Sequence, residues 1–191
     1  MMPSAKFFCQ AVAYVHLAQM IPWVQDVGPS PVKEAIMNKM LPAVHLIAVV
    51  SAFDNGLEEF INSNAIAWPR KMQSTLNNRI AVLDQRFGEK ITARLHEVRK
   101  WRNKVGHIEA GKALEFITWD MLKEAIDHMF DAFLVLGYFS EKPVFEGKYQ
   151  RIPELFPKAL GPSGERVRHV HRLQVLLNGE PFLEYESNIR Y

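Results

Sequence analysis

The sequence predicts a mainly α-helical protein, with an up-and-down helical bundle over residues 1–139 and an irregular extension over residues 140–191 that ends in a β-hairpin. Two observations predict this class. Up to residue 139, apolar residues recur every three or four positions, which is the period of an amphipathic helix. After Ser140, prolines and glycines become frequent, and Asn178-Gly179 separates two apolar runs, which is a strong hairpin signal.

The composition is that of an ordinary globular chain. It has 191 residues, of which 48% are hydrophobic, a net charge of +2 and one cysteine, Cys9. A single cysteine excludes an intramolecular disulfide and a cysteine-based zinc site, and its apolar surroundings predict a buried position. The longest apolar run, from Ile47 to Phe53, is far shorter than the ~20 residues of a membrane span. We therefore expect a cytoplasmic protein with no membrane partner.

The first half of the chain predicts helices separated by prolines. Residues 5–20 form the first helix. Ser30 and Pro31 suit the N-cap and the first position of a further helix, because an N-cap side chain accepts a backbone hydrogen bond and proline needs none. Pro42 interrupts this helix, and residues 43–62 continue with apolar residues at helical spacing.

The middle of the chain predicts two helices on either side of a glycine. Residues 71–87 and residues 89–105 both carry apolar stripes, and Gly88 lies between them. Gly106 is a natural C-terminal stop, because glycine readily adopts the left-handed backbone that closes a helix.

The last helix is predicted to run from Trp119 to Phe139, with Thr118 as its N-cap. Asp127 and Asp131 lie one turn apart on it. Such a pair is usually surface charge, and partial neutralisation of Arg102 in a dimer cleft is the alternative. The predicted inward residues are Leu122, Ile126, Met129, Phe133 and Leu136.

The C-terminal hairpin needs a partner. Two strands alone are only marginally stable in water. We therefore expect residues 167–177 and 181–185 to pack on the bundle, to extend a partner's sheet or to meet their copy in a dimer.

Charge is unevenly distributed along the chain. Residues 70–104 carry ten basic and three acidic residues, whereas residues 105–139 carry two basic and six acidic ones. A basic segment in a near-neutral protein can bind an anionic ligand such as nucleic acid. It can equally be a solvated helix face that pairs with the acidic segment.

Arg102 has an unusual position on the helix of residues 89–105. At about 100° per residue, it falls in the middle of the apolar stripe. A guanidinium stays charged inside a protein, and burying it unpaired is costly. The stripe consists of Ile91, Leu95, Val98 and Val105.

Three arrangements would satisfy Arg102. It can pair with Asp54 or Glu58 inside the bundle, lie at a subunit interface, or face a cleft in which a phosphate accepts hydrogen bonds from its planar donor fork. Asn103 adds a short polar group beside it. His107 follows five residues later, and a chain that turns back after the helix stop brings its imidazole towards the guanidinium.

The pattern Arg102-Asn103-x3-His107 resembles the Arg-x4–6-His motif of the HEPN superfamily (higher eukaryotes and prokaryotes nucleotide-binding). The surrounding helix, loop and long apolar helix are similar to that family over residues 43–139. The resemblance implies a bundle of four or five helices and a homodimer in which both motifs face one cleft. It also implies a metal-independent endoribonuclease without a cofactor, often a toxin or defence effector whose partner is an antitoxin.

The resemblance also implies roles for the motif residues. Arg102 would hold the scissile phosphate, and Asn103 would orient the phosphate or the imidazole. His107 would act as general base on the ribose 2′-hydroxyl or as general acid on the leaving oxygen, which gives a 2′,3′-cyclic phosphate. Four neighbours would contact the RNA: Arg99, Lys100 and Lys104 along the backbone, and Trp101 by stacking, with a packing role as the alternative for the tryptophan.

The competing hypothesis is a non-catalytic helical module for dimerisation or for partner or nucleotide binding. In it, Arg102 forms an internal ion pair and His107 caps the helix. The sequence has no phosphate loop, dinucleotide fingerprint, Gly-x-Ser-x-Gly elbow or metalloprotease motif. The ribonuclease is therefore the only enzyme hypothesis with named residues, and no metal site or cofactor is predicted.

Overall fold

The computed structural model describes residues 3–20, 36–69, 72–106, 117–155 and 165–190. Within them the chain is mainly helical, which confirms the predicted class, and it ends in a three-stranded antiparallel sheet. The predicted helix start at Ser30 and Pro31 lies outside the described residues. The chain divides into two compact units: a helical unit, Met1–Val12 with Val27–Lys142, and a sheet unit, Ala13–Asp26 with Pro143–Tyr191.

Five α-helices lie in the described residues, and a π-helical turn, Ile36–Met40, leads into the second of them. Pro42 stands in the first turn of that helix, where its missing N–H costs no hydrogen bond. The helices are α1 (Pro3–Met20), α2 (Leu41–Ser63), α3 (Leu76–Val82), α4 (Asp84–Gly106) and α5 (Trp119–Val135).

The core of the helical unit is aromatic. The ring of Phe8 in α1 packs edge-on against Phe130 and Phe133 of α5, at centroid distances of 4.9 and 5.0 Å. Phe53 of α2 lies 4.9 Å from Phe133. Cys9 is fully buried, which confirms its predicted place, and burial raises the pKa of its thiol to about 12.

One helical segment, Ile36–Ser63, is long and apolar enough by length and composition to cross a membrane. In the folded helical unit, its apolar side chains such as Leu46 and Phe53 are buried in the core. Its polar side carries Asp54 and Glu58, which form ion pairs. Core packing therefore accounts for part of the hydropathy of this segment, since 35% of its most apolar stretch is buried.

The helix α3 begins later than the predicted helix of residues 71–87. Residues 72–75 are not helical. The Thr75 side chain accepts a hydrogen bond from the Asn78 backbone N–H at 3.4 Å, and the Asn78 side-chain amide donates to the Gln73 carbonyl at 2.9 Å. These short-range bonds offer the backbone an alternative to helix, so the helix starts only after Thr75.

Gly88 interrupts the helical path as predicted. Its backbone, at φ 73° and ψ 162°, is not helical and marks a kink inside α4. The apolar stripes on both sides of the kink are confirmed, since six of their residues are buried: Ile80, Leu83, Phe87, Leu95, Val98 and Val105.

The N-terminus of α5 is confirmed. The Thr118 hydroxyl accepts a hydrogen bond from the Met121 backbone N–H at 3.1 Å. All five residues predicted to point inward from this helix are buried: Leu122, Ile126, Met129, Phe133 and Leu136.

The C-terminus of α5 differs from the prediction. The helix ends at Val135 rather than Phe139, because Gly137 adopts a left-handed backbone with φ 75°. The Tyr138 N–H then donates to the Phe133 carbonyl at 2.9 Å, which closes a Schellman-type cap.

The C-terminal hairpin is confirmed. Strand β2 (Glu165–Leu177) pairs antiparallel with β3 (Glu180–Arg190) across a tight turn. Both turn residues have positive φ, 54° at Asn178 and 77° at Gly179, as the turn of a two-residue hairpin requires.

The prediction of an irregular stretch before the hairpin is wrong. A further strand, β1 (Val144–Leu155), pairs antiparallel with β2, so the strand order is β1-β2-β3. Its proline and glycine resemble turn signals, but an edge strand tolerates Pro153. At Gly147, a Cβ would lie 2.6 Å from the Met20 sulfur, so a larger residue there would require this flexible side chain to move.

The sheet unit has its own small core. Residues from the second half of α1 cover one face of the sheet, which satisfies the expectation that the hairpin needs a partner. The core consists of Ala13, Leu173 and Val175, surrounded by Leu17, Met20, Phe145, Phe182, Leu183 and Tyr185.

Candidate functional site

A cavity of about 450 Å3 lies within the helical unit. Three helical segments line it: the middle of α2, the start of α3 and the last turns of α4. The three lining residues of α4 are spaced by three and four positions, so they share one helix face. The lining residues are Val50, Ser51, Asp54, Thr75, Leu76, Asn77, Arg99, Arg102 and Asn103.

Arg102 is half-buried and lines the cavity. Its Nη1 donates a hydrogen bond to the side-chain oxygen of Asn103 at 3.2 Å. This bond uses the acceptor of the Asn103 amide and leaves its two N–H donors for other partners. Across the described residues, no carboxylate lies within ion-pair distance of the Arg102 guanidinium. Arg102 and Asn103 therefore present N–H donors to the cavity, and no described carboxylate forms an ion pair with the Arg102 guanidinium.

Arg99 brings a second guanidinium to the same cavity. Its Nε is shielded from solvent and has no hydrogen-bond partner among the described residues. A buried N–H without an acceptor costs roughly 1–3 kcal/mol.

Another arginine holds the carboxylates of α2. Arg79 Nη1 lies 2.7 Å from Asp54 Oδ1, and Nη2 lies 2.8 Å from Glu58 Oε2 and donates to Ser74 Oγ at 2.9 Å. The Arg79 side chain is only 7% exposed. The two acids that the sequence offered as partners for Arg102 are therefore engaged by Arg79.

His96 lies near the basic residues at this end of α4, and its pKa is lowered. Burial lowers the pKa of its imidazole, and the nearby charges of Arg99 and Lys100 lower the pKa further, while Asp84 acts in the opposite direction. A lowered pKa favours the neutral form of the imidazole.

The other predicted site residues lie elsewhere. Lys100 and Lys104 are exposed and Trp101 is half-buried, and none of the three lines the cavity. His107 lies outside the described residues. The structure thus brings together three of the predicted site residues. Arg99, Arg102 and Asn103 all lie on α4 and line the cavity.

Apart from Asp54, which the sequence offered as a partner for Arg102, sequence reasoning missed the cavity residues opposite α4. Ser51 and Asp54 come from α2, and Thr75 and Asn77 come from the start of α3. The only local signal was the run of short polar residues around Thr75, which is typical of a helix N-cap. Which face of α4 that cap approaches depends on tertiary packing, so the sequence pattern alone does not reveal it.

A cluster on α5 has the residue types of a metal site. Ligand atoms of Asp127, His128 and Asp131 lie within 4.8 Å of one another. However, Lys142 Nζ lies 2.5 Å from Asp127 Oδ1 and 2.7 Å from Asp131 Oδ1, and Arg94 Nη1 lies 3.6 Å from Asp131 Oδ2. Within one chain, these aspartates therefore pair with Lys142 and Arg94.

Comparisons of this chain with protein-family models, curated proteins and solved structures gave no match.

Proposed function

We propose that the cavity binds an RNA phosphate and that the protein is a metal-independent endoribonuclease of the HEPN type. One observation carries the proposal. Arg99 and Arg102 line the same cavity, and neither forms an ion pair with a carboxylate among the described residues. A phosphate suits two planar guanidinium forks, because several of its oxygens can accept paired N–H hydrogen bonds.

The arrangement of acids supports an external anion. Asp54 lines the cavity, and it would be the nearest internal competitor for Arg102. Arg79 holds Asp54 and also Glu58 at ion-pair distance. With those acids engaged, the charge of Arg99 and Arg102 remains available to a ligand.

In the proposed mechanism the arginines act on the phosphate. Arg102 donates to the non-bridging oxygens and stabilises the charge that develops on them during attack. Arg99 adds a second set of donors, and the free N–H groups of the Asn103 amide help to orient the group.

His107 supplies the proton transfer in this proposal. The 2′-oxygen of the ribose forms a bond to phosphorus, the bond to the 5′-oxygen breaks, and the product is a 2′,3′-cyclic phosphate. His107 accepts the 2′-hydroxyl proton or delivers one to the leaving oxygen, as an imidazole can. The HEPN resemblance further implies an up-and-down bundle, two copies that share one cleft, and a toxin or defence role with an antitoxin partner.

The direct test incubates the purified full-length protein with mixed RNA in EDTA. We expect cleavage that leaves 2′,3′-cyclic ends. Arg102→Ala and His107→Ala should each reduce the rate by roughly 100-fold or more, because each removes a group that acts in the transition state.

The matched control is Arg94→Ala, which removes an arginine from the same helix outside the cavity, next to Asp131. It should keep the wild-type rate, and circular dichroism should show that all variants are folded. If the wild-type protein binds RNA but does not cut it, the chain is a non-catalytic binding module. Unchanged cleavage by Arg102→Ala would refute the proposed site.

A further inference from the structure

The strand β1 forms an open edge of the sheet. In the described residues it pairs only with β2, so the backbone groups on its other side have no partner strand. Side chains along Val144 to Gln150 are mostly exposed, including Val144 at 53% and Tyr149 at 47%. Pro153 lacks an N–H, so further pairing is favoured only over residues 144–150. An open edge with exposed apolar side chains is a template for another strand.

Two charged side chains on the β1 edge lack ion-pair partners among the described residues. Glu146 and Lys148 lie on the polar face of the sheet, and neither has an ion-pair partner among the described residues. Inside the sheet, Lys148 lies opposite Arg172, which has the same charge and is already paired with Glu186 at 2.9 Å. Like charges opposite each other are unfavourable. A carboxylate on the open side of Lys148 would therefore be stabilising.

The edge sequence is complementary to itself. If two copies of β1 run antiparallel about a two-fold axis at Gly147, Glu146 of each copy lies opposite Lys148 of the other. Phe145 then lies opposite Tyr149, which gives two aromatic cross-strand pairs on the face that carries α1. Opposite charges and aromatic pairs directly across an antiparallel ladder are both stabilising.

We propose that two copies of this chain associate through their β1 edges to form one continuous six-stranded sheet. The interface is isologous, as the two-fold axis requires. The two neighbouring registers that keep the same side chains on the same face of the sheet are unfavourable. A two-fold axis at Glu146 would place the two Glu146 side chains opposite each other, and an axis at Lys148 would do the same for the two lysines. The proposal is independent of the cavity arginines and of the ribonuclease activity.

The test is a charge exchange followed by sedimentation. The wild-type chain should show a concentration-dependent dimer. Glu146→Lys alone and Lys148→Glu alone each replace two attractive pairs with two repulsive ones, and each should weaken dimerisation by about tenfold or more.

Mixing the two single variants tests the register. In the mixed dimer, each Lys faces a Glu again, so the mixture should associate as tightly as the wild type. The double variant Glu146→Lys/Lys148→Glu should also dimerise. The control Glu184→Lys reverses an exposed charge on the opposite edge strand and should leave the dimer intact.

A monomeric wild type at all concentrations would overturn the proposal. So would a dimer that both single variants leave unchanged, since that dimer would use another surface. Failure of the mixed variants to associate would overturn the Gly147-centred register and with it the proposed interface. Circular dichroism of each variant separates lost association from lost folding.

Discussion

Two arginines of the same basic segment have different environments in the structure. Arg79 belongs to the basic segment, yet it is buried and bound to Asp54, Glu58 and Ser74. Arg102 lies in the apolar stripe, as the helical period predicts, yet it opens on a cavity. The period fixes which face of a helix a residue occupies. It does not fix which acid meets that face, because this depends on how α2 and α3 pack.

Replacement of Arg79 tests this division of roles. Arg79→Met keeps the length of the side chain and leaves Asp54 and Glu58 without their cation. We expect the free energy of unfolding to fall by about 2 kcal/mol, less than for a fully buried pair, because Glu58 is 46% exposed and can be hydrated. We also expect weaker RNA binding, because the freed carboxylates compete for the cavity arginines.

The matched variant Arg79→Met/Asp54→Asn/Glu58→Gln removes the acids as well. It should recover RNA binding, as measured by fluorescence anisotropy, even if urea unfolding shows that it stays less stable. If the triple variant binds RNA as poorly as Arg79→Met, the proposed competition is wrong.

At the scale of elements, two local signals were predicted correctly, whereas other features, both local and non-local, were missed. Thr118 and the Asn178-Gly179 pair depend on neighbours within four residues, so their roles follow from the sequence. The start of α3 and the strand β1 were missed. β1 was missed because Gly147 and Pro153 have the appearance of turn residues, and only the partners β2 and Met20 show that they suit an edge strand.

Gly88 offers a test of an element that the sequence did predict. Its φ of 73° and ψ of 162° lie in a region that only glycine adopts readily. Gly88→Ala should therefore lower the free energy of unfolding by about 1–3 kcal/mol. Glu89→Ala, the neighbouring exposed position, serves as the control and should stay close to wild type in urea unfolding. Equal stability of Gly88→Ala and the wild type would contradict the strained kink.

For the whole molecule, the central question is whether the basic and acidic segments neutralise each other. Among the residues that the structure describes, the ion pairs between the two segments are few. Arg94 pairs with Asp131, but Asp127 and Asp131 are mainly held by Lys142, and Arg79 takes its partners from α2. The charge of Arg99 and Arg102 is left facing a cavity, so the anionic-ligand interpretation of the basic segment is favoured at this end of α4. Segment totals alone leave this open, because the pairing is decided by tertiary contacts.

The most direct test of this account is the salt dependence of RNA binding. Anisotropy of a labelled single-stranded RNA would be titrated in EDTA at several salt concentrations, with the wild type, Arg99→Ala/Arg102→Ala and Arg94→Ala. Each lost phosphate contact removes about 0.7 from the slope of log affinity against log salt. The double variant should therefore bind about tenfold or more weakly, with a slope smaller by about 1.4, while Arg94→Ala matches the wild type. Equal affinity and slope for all three proteins would show that the cavity arginines do not bind RNA.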